Sequence, residues 1–372
     1  MKYYLISGEA SGDLHGSNLV HALLQKDPNA EICGWGGDLM QEAGAQILKH
    51  YRDLAFMGFS EVVMNLPTIF NNFRLCKKQI LDFQPDVLVL IDYPGFNLRM
   101  AKWAKKKGIR VSYYISPQIW AWHSSRAKQI KANIDQMLVI LPFEKAFYQQ
   151  YNYKVNFVGH PLLDVVNTFK PTADFKNRHG LSDKKIIALL PGSRKQEIKT
   201  ALSIMLKMIP QFPDHQFVVA GAPSIPKEYY QNIFQQNAAQ NEQEIKLIQN
   251  ETYSLLILST AALVTSGTAT LEAALFDIPQ VVCYKGSPIS YQIAKRVIQV
   301  EYISLVNLIL EKPLLAELIQ EHFNPTDLAK ALAEILKPEK QKELKEEYRK
   351  LRKELGDSGA SERAAKLIIE GL

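Results

Sequence analysis

Short apolar runs alternate with helix-patterned segments from the first residues to about position 300, and two of these runs pass directly into glycine turns that open helices. The two segments read IIALLPGSRKQEI, residues 186 to 198, and AALVTSGTATLEAAL, residues 261 to 275. Alternation of this kind builds parallel sheets covered by helices on both faces. Strands are expected at Tyr3 to Ser7, Glu31 to Gly34, Val87 to Asp92, Val111 to Ile115, Met137 to Leu141 and Asn156 to Val158. A second series is expected at Ile186 to Leu190, Phe217 to Ala220, Ile245 to Ile248, Ala262 to Thr265 and Gln280 to Tyr284. Between the series, residues 159 to 183 (GHPLLDVVNTFKPTADFKNRHGLSD) are polar with two prolines and read as the joint between two α/β domains. After Pro313 the pattern is helical only, and residues 337 to 357 are charged nearly all round, as on a solvated helix.

A chain of 372 residues, 47% of them hydrophobic, has material for two separate cores. The expected division is 1–165, 166–335 and C-terminal helices over 336–372 that are able to pack back on the first domain. A net charge of +6 with Lys and Arg scattered among acids suits nucleotides or lipid head groups and does not suggest nucleic acid. Cys33, Cys76 and Cys283 are odd in number and far apart, so they read as buried thiols of a reducing cytoplasm. The opening MKYYLIS reads as a first strand and not as a signal peptide. No stretch approaches the length of a membrane span, so contact with a bilayer is expected to be peripheral.

Helices that open on small residues present unpaired N–H groups and a positive dipole end, which together suit an anion. Two such openings, at Gly192–Ser193 and at Ser266–Gly267–Thr268, suggest a diphosphate. Arg194 adds a guanidinium fork that matches phosphate oxygens. Glu272, five residues beyond Gly267, is placed to accept from ribose hydroxyls. Either glycine alone is also what an ordinary α/β turn contains.

In the first half, SGEASGDLHG, residues 7 to 16, follows a strand but lacks dinucleotide spacing and the acid that would follow. It offers Glu9, Ser11, Asp13 and His15 at the strand's carboxyl end, with Asp13 also readable as a helix-start acid. VLVLIDYPGFN, residues 87 to 97, ends a buried strand on Asp92, where partial desolvation raises a carboxyl toward a useful base; the other reading is a cap for the turn before Pro94. ISPQIWAWHSSRAKQI, residues 115 to 130, sets Trp120, Trp122, His123 and Arg126 together, as a sugar or phosphate site or as core packing. Lone His160 marks the interdomain turn. Residues 54 to 80 carry Met57, Val62, Val63, Leu66, Ile69, Phe70 and Phe73 before Arg74, Lys77 and Lys78, which suits an interfacial helix or a helix pair buried under the sheet. The absence of HExxH, P-loop, GxSxG and DxD patterns disfavours metal-dependent hydrolysis and P-loop chemistry.

Taken in order, SGEASGDLHG, AFMGFSEVV, IDYPGFN, YYISPQIWAW, LPFEKAFY, VGHPLLD, LLPGSRKQEI, SGTATLEAAL and YISLVNLIL with ELIQ resemble the blocks of the lipid A disaccharide synthases of Gram-negative bacteria. The resemblance spans residues 1 to about 335. It implies the GT-B fold, two Rossmann-like doubly wound domains facing a cleft, and an inverting, metal-independent glycosyltransferase with no cofactor. The implied substrates are UDP-2,3-diacylglucosamine and 2,3-diacylglucosamine 1-phosphate, joined through the acceptor's 6-hydroxyl in a β-1,6 bond at the cytoplasmic face of an anionic inner membrane. It further implies Asp92 as general base, Arg194 on the diphosphate and Asn307 near the nucleotide, and matches Glu9 and Ser11 to polar positions of the opening loop; these two and His123, read from its own segment, are the candidate acceptor-side groups. Gly95 stands where the family often has a second acid, which leaves the base role on Asp92 alone, and Val306 replaces a common proline. Alternatives are another GT-B enzyme of UDP-amino sugars, either a soluble-acceptor transferase or a 2-epimerase, and a non-catalytic nucleotide-sugar or lipid-binding protein.

Overall fold

Parallel strands buried on both faces need unbroken apolar runs, and the computed structural model of the chain forms them where the sequence supplies such runs. It describes residues 1–54, 66–122, 124–237, 245–287, 291–292, 296 and 300–371, without the side chains of Leu66 and Trp122. The first sheet contains β1 (Lys2–Ser7), β2 (Glu31–Gly36), β3 (Gln46–His50), β4 (Val87–Ile91), β5 (Arg110–Tyr114), β6 (Gln136–Val139) and β7 (Asn156–Phe157). Its order is β3-β2-β1-β4-β5-β6-β7, every pair parallel. All five residues of β4 are buried, as a central strand requires. Trp35 stacks on Phe96 at 5.2 Å between ring centres, and Phe73 stacks on Phe96 at 4.3 Å, so a short stack of rings joins β2 to two of the helices.

The second sheet contains β8 (Lys185–Leu190), β9 (His215–Gly221), β10 (Lys246–Gln249), β11 (Ser259–Thr265), β12 (Gln280–Tyr284) and β13 (Glu317–Ile319), in the order β10-β9-β8-β11-β12-β13. Every expected strand is present. Two strands were not expected. β3 is a half-exposed edge strand whose QILKH lacks a clean alternation, and β13 corrects the expectation of helices alone after Pro313. Three half-buried residues are too few to carry a period, and β13 exists because Glu317 meets Val282 on the neighbouring strand.

The chain forms two units, Met1–Asp164 with Leu355–Leu372, and Val165–Glu354. The segment expected as an irregular joint instead contains the helices Leu162–Thr168 and Phe175–Arg178. The block expected over 336–372 is divided between the units. Helix Pro338–Glu354 stays with the second, because Leu344, Tyr348 and Leu351 form a buried stripe and the Tyr348 hydroxyl donates to the Ile278 carbonyl at 3.3 Å. Helix Ala360–Glu370 belongs to the first, where it packs on helix Ala10–Lys26 and the Asp164 carboxylate accepts from the Gly359 and Ser361 amides. Cys33, Cys76 and Cys283 are buried and free.

Candidate active site

Both strand orders reverse direction once, between β1 and β4 in the first unit and between β8 and β11 in the second, and open parallel sheets place ligands beyond the carboxyl ends of strands at such points. In the first unit Ser7 lies opposite Ile91, so the Gly8–Glu9 and Asp92–Tyr93 turns leave the sheet side by side. A Cβ on Gly8 would stand 2.4 Å from the Tyr93 ring, so only glycine lets the two turns approach this closely.

Asp92 and Tyr93 both adopt left-handed backbone, φ 45° and 49°. Such a conformation costs roughly 1–2 kcal/mol for each non-glycine residue, so it persists only where neighbours fix it. The Asp92 amide donates to the Tyr114 carbonyl at 3.1 Å. Its own carbonyl accepts from the Asn97 side-chain amide at 2.8 Å and from the Tyr113 hydroxyl. Asn97, fully buried, also donates to the carbonyls of Ile6 and Ile91 at 3.3 Å, and so ties the ends of β1 and β4 together. The Asp92 carboxyl, half-buried, is pushed up to about 6, first by desolvation and then by the negative charge of Glu9, against the opposing pull of the Tyr93 backbone amide. A carboxylate so poised is suited to accept a proton near neutral pH. Glu9 and Ser11 are exposed at the start of helix Ala10–Lys26, beside this turn.

Other residues singled out in this unit are taken up by structure. The Asp13 carboxylate accepts from the Gly37, Leu39 and Met40 amides at 2.7, 3.1 and 3.2 Å, and so caps helix Asp38–Glu42. His15 and His160 are buried, and desolvation pushes them down to about 4 and about 3, with His15 adding to the effect on His160. Trp120 is buried edge-on to Phe143 at 4.8 Å, as core packing requires, while the Trp122 side chain and His123 lie outside the described residues. Nearby, Glu144 accepts from the Ile140 and Leu141 amides at 3.2 and 2.9 Å, and burial pushes it up to about 7.

Of the apolar segment, Met57, Val62, Val63 and the Leu66 side chain lie outside the described residues. On helix Leu66–Phe83, Phe70 is 69% exposed and Ile69 half-buried. Phe73 is half-buried, its ring stacked on Phe96 and packed against the core of the first unit.

In the second unit Leu190 lies opposite Val264, and a Cβ on Gly192 would stand 3.6 Å from the Thr265 methyl, so the Gly192–Arg194 and Ser266–Thr268 turns are adjacent. Gly192 has φ +106°, a conformation that L side chains resist. The first turn opens helix Lys195–Met205 and the second opens helix Thr268–Leu275. Ser193, Arg194, Gly267 and Thr268 are exposed, and among the described residues nothing but its chain neighbours lies within 4 Å of where a Gly267 Cβ would stand. Arg194 pairs with Glu197 at 3.3 Å while its side chain remains 64% exposed. The Thr265 hydroxyl is buried without a hydrogen-bond partner among the described residues. Glu272 accepts from the Tyr253 hydroxyl at 3.3 Å, and desolvation pushes it up to about 6.

Asn307, which the resemblance sets near the nucleotide, has its side chain engaged inside its own unit. It is fully buried, donates to the Leu315 carbonyl at 3.0 Å and to Glu317 at 2.9 Å, and accepts from the Leu315 amide at 2.8 Å. Its amide is consumed inside the unit. The sequence reading missed Asn97, Tyr113 and Glu317; Asn97 alone carried a signal, as a polar residue on the apolar side of helix Pro94–Lys106. Among the described residues no group of three or more His, Cys, Asp or Glu side chains is disposed to hold a metal, and no helix is long and apolar enough to cross a membrane.

A family model described as lipid-A-disaccharide synthetase matches residues 3–370. The chain is 41% identical over 371 residues to the lipid-A-disaccharide synthase of Syntrophus aciditrophicus strain SB, spanning 98% of this chain and 96% of that one. Among solved structures it resembles the S. aureus MnaA–UDP co-structure, with a TM-score of 0.71 at 15% identity over 100% of this chain and 97% of the other. It also resembles the Methanocaldococcus jannaschii UDP-GlcNAc 2-epimerase in complex with UDP-GlcNAc and UDP, with a TM-score of 0.66 at 15% identity over 100% of both chains. At such identities the likeness concerns the fold.

Proposed function

The chain belongs to the lipid-A-disaccharide synthetase family, and from that premise we propose that it transfers 2,3-diacylglucosamine from its UDP donor to the 6-hydroxyl of 2,3-diacylglucosamine 1-phosphate. It is a glycosyltransferase of the GT-B fold. The products are the β-1,6-linked disaccharide 1-phosphate and UDP.

The observation that carries the mechanism is the Asp92 turn, a strained and anchored carboxyl at the switch point of the first sheet with its pKa raised to about 6. Asp92 takes the proton of the acceptor hydroxyl as its oxygen attacks the anomeric carbon. The bond from that carbon to the β-phosphate oxygen breaks, the electron pair leaves with UDP, and attack from the opposite face inverts the centre. Glu9 and Ser11 line the acceptor side.

The donor's diphosphate rests on the amides that follow Gly192 and Gly267, with Ser193 and Thr268 as hydroxyl donors, while the Ser266 hydroxyl is engaged on the Ile303 carbonyl and holds the turn. Arg194 offsets the charge that grows on the leaving UDP, and Glu272 accepts from the ribose. No metal is assigned to these steps, because two helix starts and a guanidinium provide the compensating positive charge. Asn307, engaged inside its unit, is given no direct contact.

The acyl chains of both substrates require an apolar landing place. Exposed Phe70, beside exposed Arg74 and Lys78 on one helix, supports peripheral docking on the anionic cytoplasmic face of the inner membrane.

Purified protein given both acylated substrates should release UDP and a disaccharide 1-phosphate of the summed mass. Turnover of UDP-GlcNAc by epimerisation, with no disaccharide from the acylated pair, would replace this reading.

A further inference from the structure

We propose that Glu317, on the edge strand of the second sheet, is a positioning residue for the donor's diphosphate turn, acting through Ile303 and Ser266. The inference rests on the reading that this turn holds UDP.

The connection is continuous. One oxygen of the Glu317 carboxylate accepts from the Ile303 amide at 2.9 Å, and the other accepts from the Ser304 amide and from the Asn307 side chain, each at 2.9 Å. Ser304 is fully buried, and its hydroxyl accepts from the Asn307 amide at 3.2 Å, capping helix Leu305–Leu310. The carbonyl of Ile303, held by this clamp, accepts from the Ser266 hydroxyl at 3.0 Å. The Ser266 amide donates to Cys283 at 2.9 Å, so the residue before Gly267 is held at both its main chain and its side chain. Gly267 has open space around it, and its neighbours supply the fixed contacts.

Three N–H donors converge on Glu317, and a carboxylate accepts all of them without offering a hydrogen. A glutamine in its place turns an NH2 group toward an N–H, so the isosteric change breaks the clamp. Carboxylate charge, more than side-chain shape, is what the position requires. The same circuit gives Asn307 its place: its amide spans Glu317 and Leu315, and it reaches the turn only through this clamp.

The test is a double-mutant cycle of Glu317→Gln and Ser266→Ala, read by UDP affinity and by the Michaelis constants of donor and acceptor. Glu317→Gln should weaken UDP binding and raise donor KM by roughly tenfold, leave acceptor KM unchanged, and add little in the Ser266→Ala background. A purely structural role would lower the active fraction, and hence kcat, at constant donor KM. Additive effects of the two changes, or an unchanged donor KM, would overturn the proposal.

Hydrogen exchange on the wild-type protein gives a second arm that does not depend on the variant folding. Saturating UDP should slow exchange at the Ile303 and Ser304 amides as well as at Gly267 to Thr270, because coupling between the two places is reciprocal. Protection confined to the turn would also overturn it. If UDP fails to bind the wild-type protein, the nucleotide reading itself falls and this inference with it. Normal UDP binding with additive variants removes Glu317 alone.

Discussion

Asn97 donates its side-chain amide to the main-chain carbonyl of Asp92 at 2.8 Å, and the same nitrogen reaches the carbonyls of Ile6 and Ile91 at 3.3 Å. One buried amide therefore joins the two strand ends at the switch point to the residue assigned as base. Replacing it by Ala frees a turn that is held in left-handed backbone. Because misplacing a reacting group by about 1 Å can cost on the order of 100-fold, Asn97→Ala should lower kcat by about 10- to 100-fold. UDP affinity should stay the same, since the nucleotide is assigned to the other unit. Turnover within twofold of wild type, in protein with a normal thermal transition, would show that the anchor is not needed.

The acid limb of the pH profile should follow Asp92. Its carboxyl must be ionised to take a proton, and its pKa is raised to about 6, so kcat/KM should rise with pH through about 6 and level off above. Glu9 contributes to that rise through its negative charge. Glu9→Gln removes the charge, makes ionisation of Asp92 easier and should move the limb to lower pH. A limb that stays in place or moves upward would contradict the assignment of that limb to Asp92.

Arg194 stands exposed at the first turn of the second unit, with Glu197 as its 3.3 Å partner. Hydrogen bonds to charged groups contribute about 1.5–3 kcal/mol, and exposure places this one at the lower end. Arg194→Ala should therefore weaken UDP binding by roughly tenfold or more. Arg194→Lys, which keeps the charge and loses the fork, should fall between the two. Calorimetry with UDP reads all three proteins, and equal affinities would take the diphosphate away from this turn.

Phe70, 69% exposed, is the most exposed ring on its helix, and Arg74 and Lys78 follow it on the same element. Burying a phenylalanine side chain in an apolar medium yields about 1.5–3 kcal/mol. Phe70→Ser should therefore lower co-flotation with anionic vesicles by roughly tenfold or more while leaving UDP affinity intact. Equal flotation of variant and wild type would place the membrane contact elsewhere.

The strand pattern carried most of this fold, because parallel strands buried on both faces leave runs such as VLVLI and IIALL that nothing else explains. β13 and the helical joint were not legible, because their residues acquire a reason only from neighbours far along the chain. The same division runs through the site. Gly192, Arg194, Gly267 and Asp92 announce themselves by position at strand ends, whereas the circuit of Glu317, Asn307 and Ser266 joins residues far apart along the chain. Asn307 shows the limit most plainly. Nothing in its own segment marks it, the resemblance alone sets it near the nucleotide, and only its hydrogen bonds show the side chain engaged inside the unit.

The most direct test of the account is Asp92→Asn in purified protein, with disaccharide formation and UDP binding measured on the same preparation. The exchange keeps the size of the side chain and removes its ability to take a proton. Turnover should collapse by about 100-fold or more, with UDP affinity unchanged. Near-normal turnover would remove Asp92 from the base role and leave the proposed mechanism without its proton acceptor.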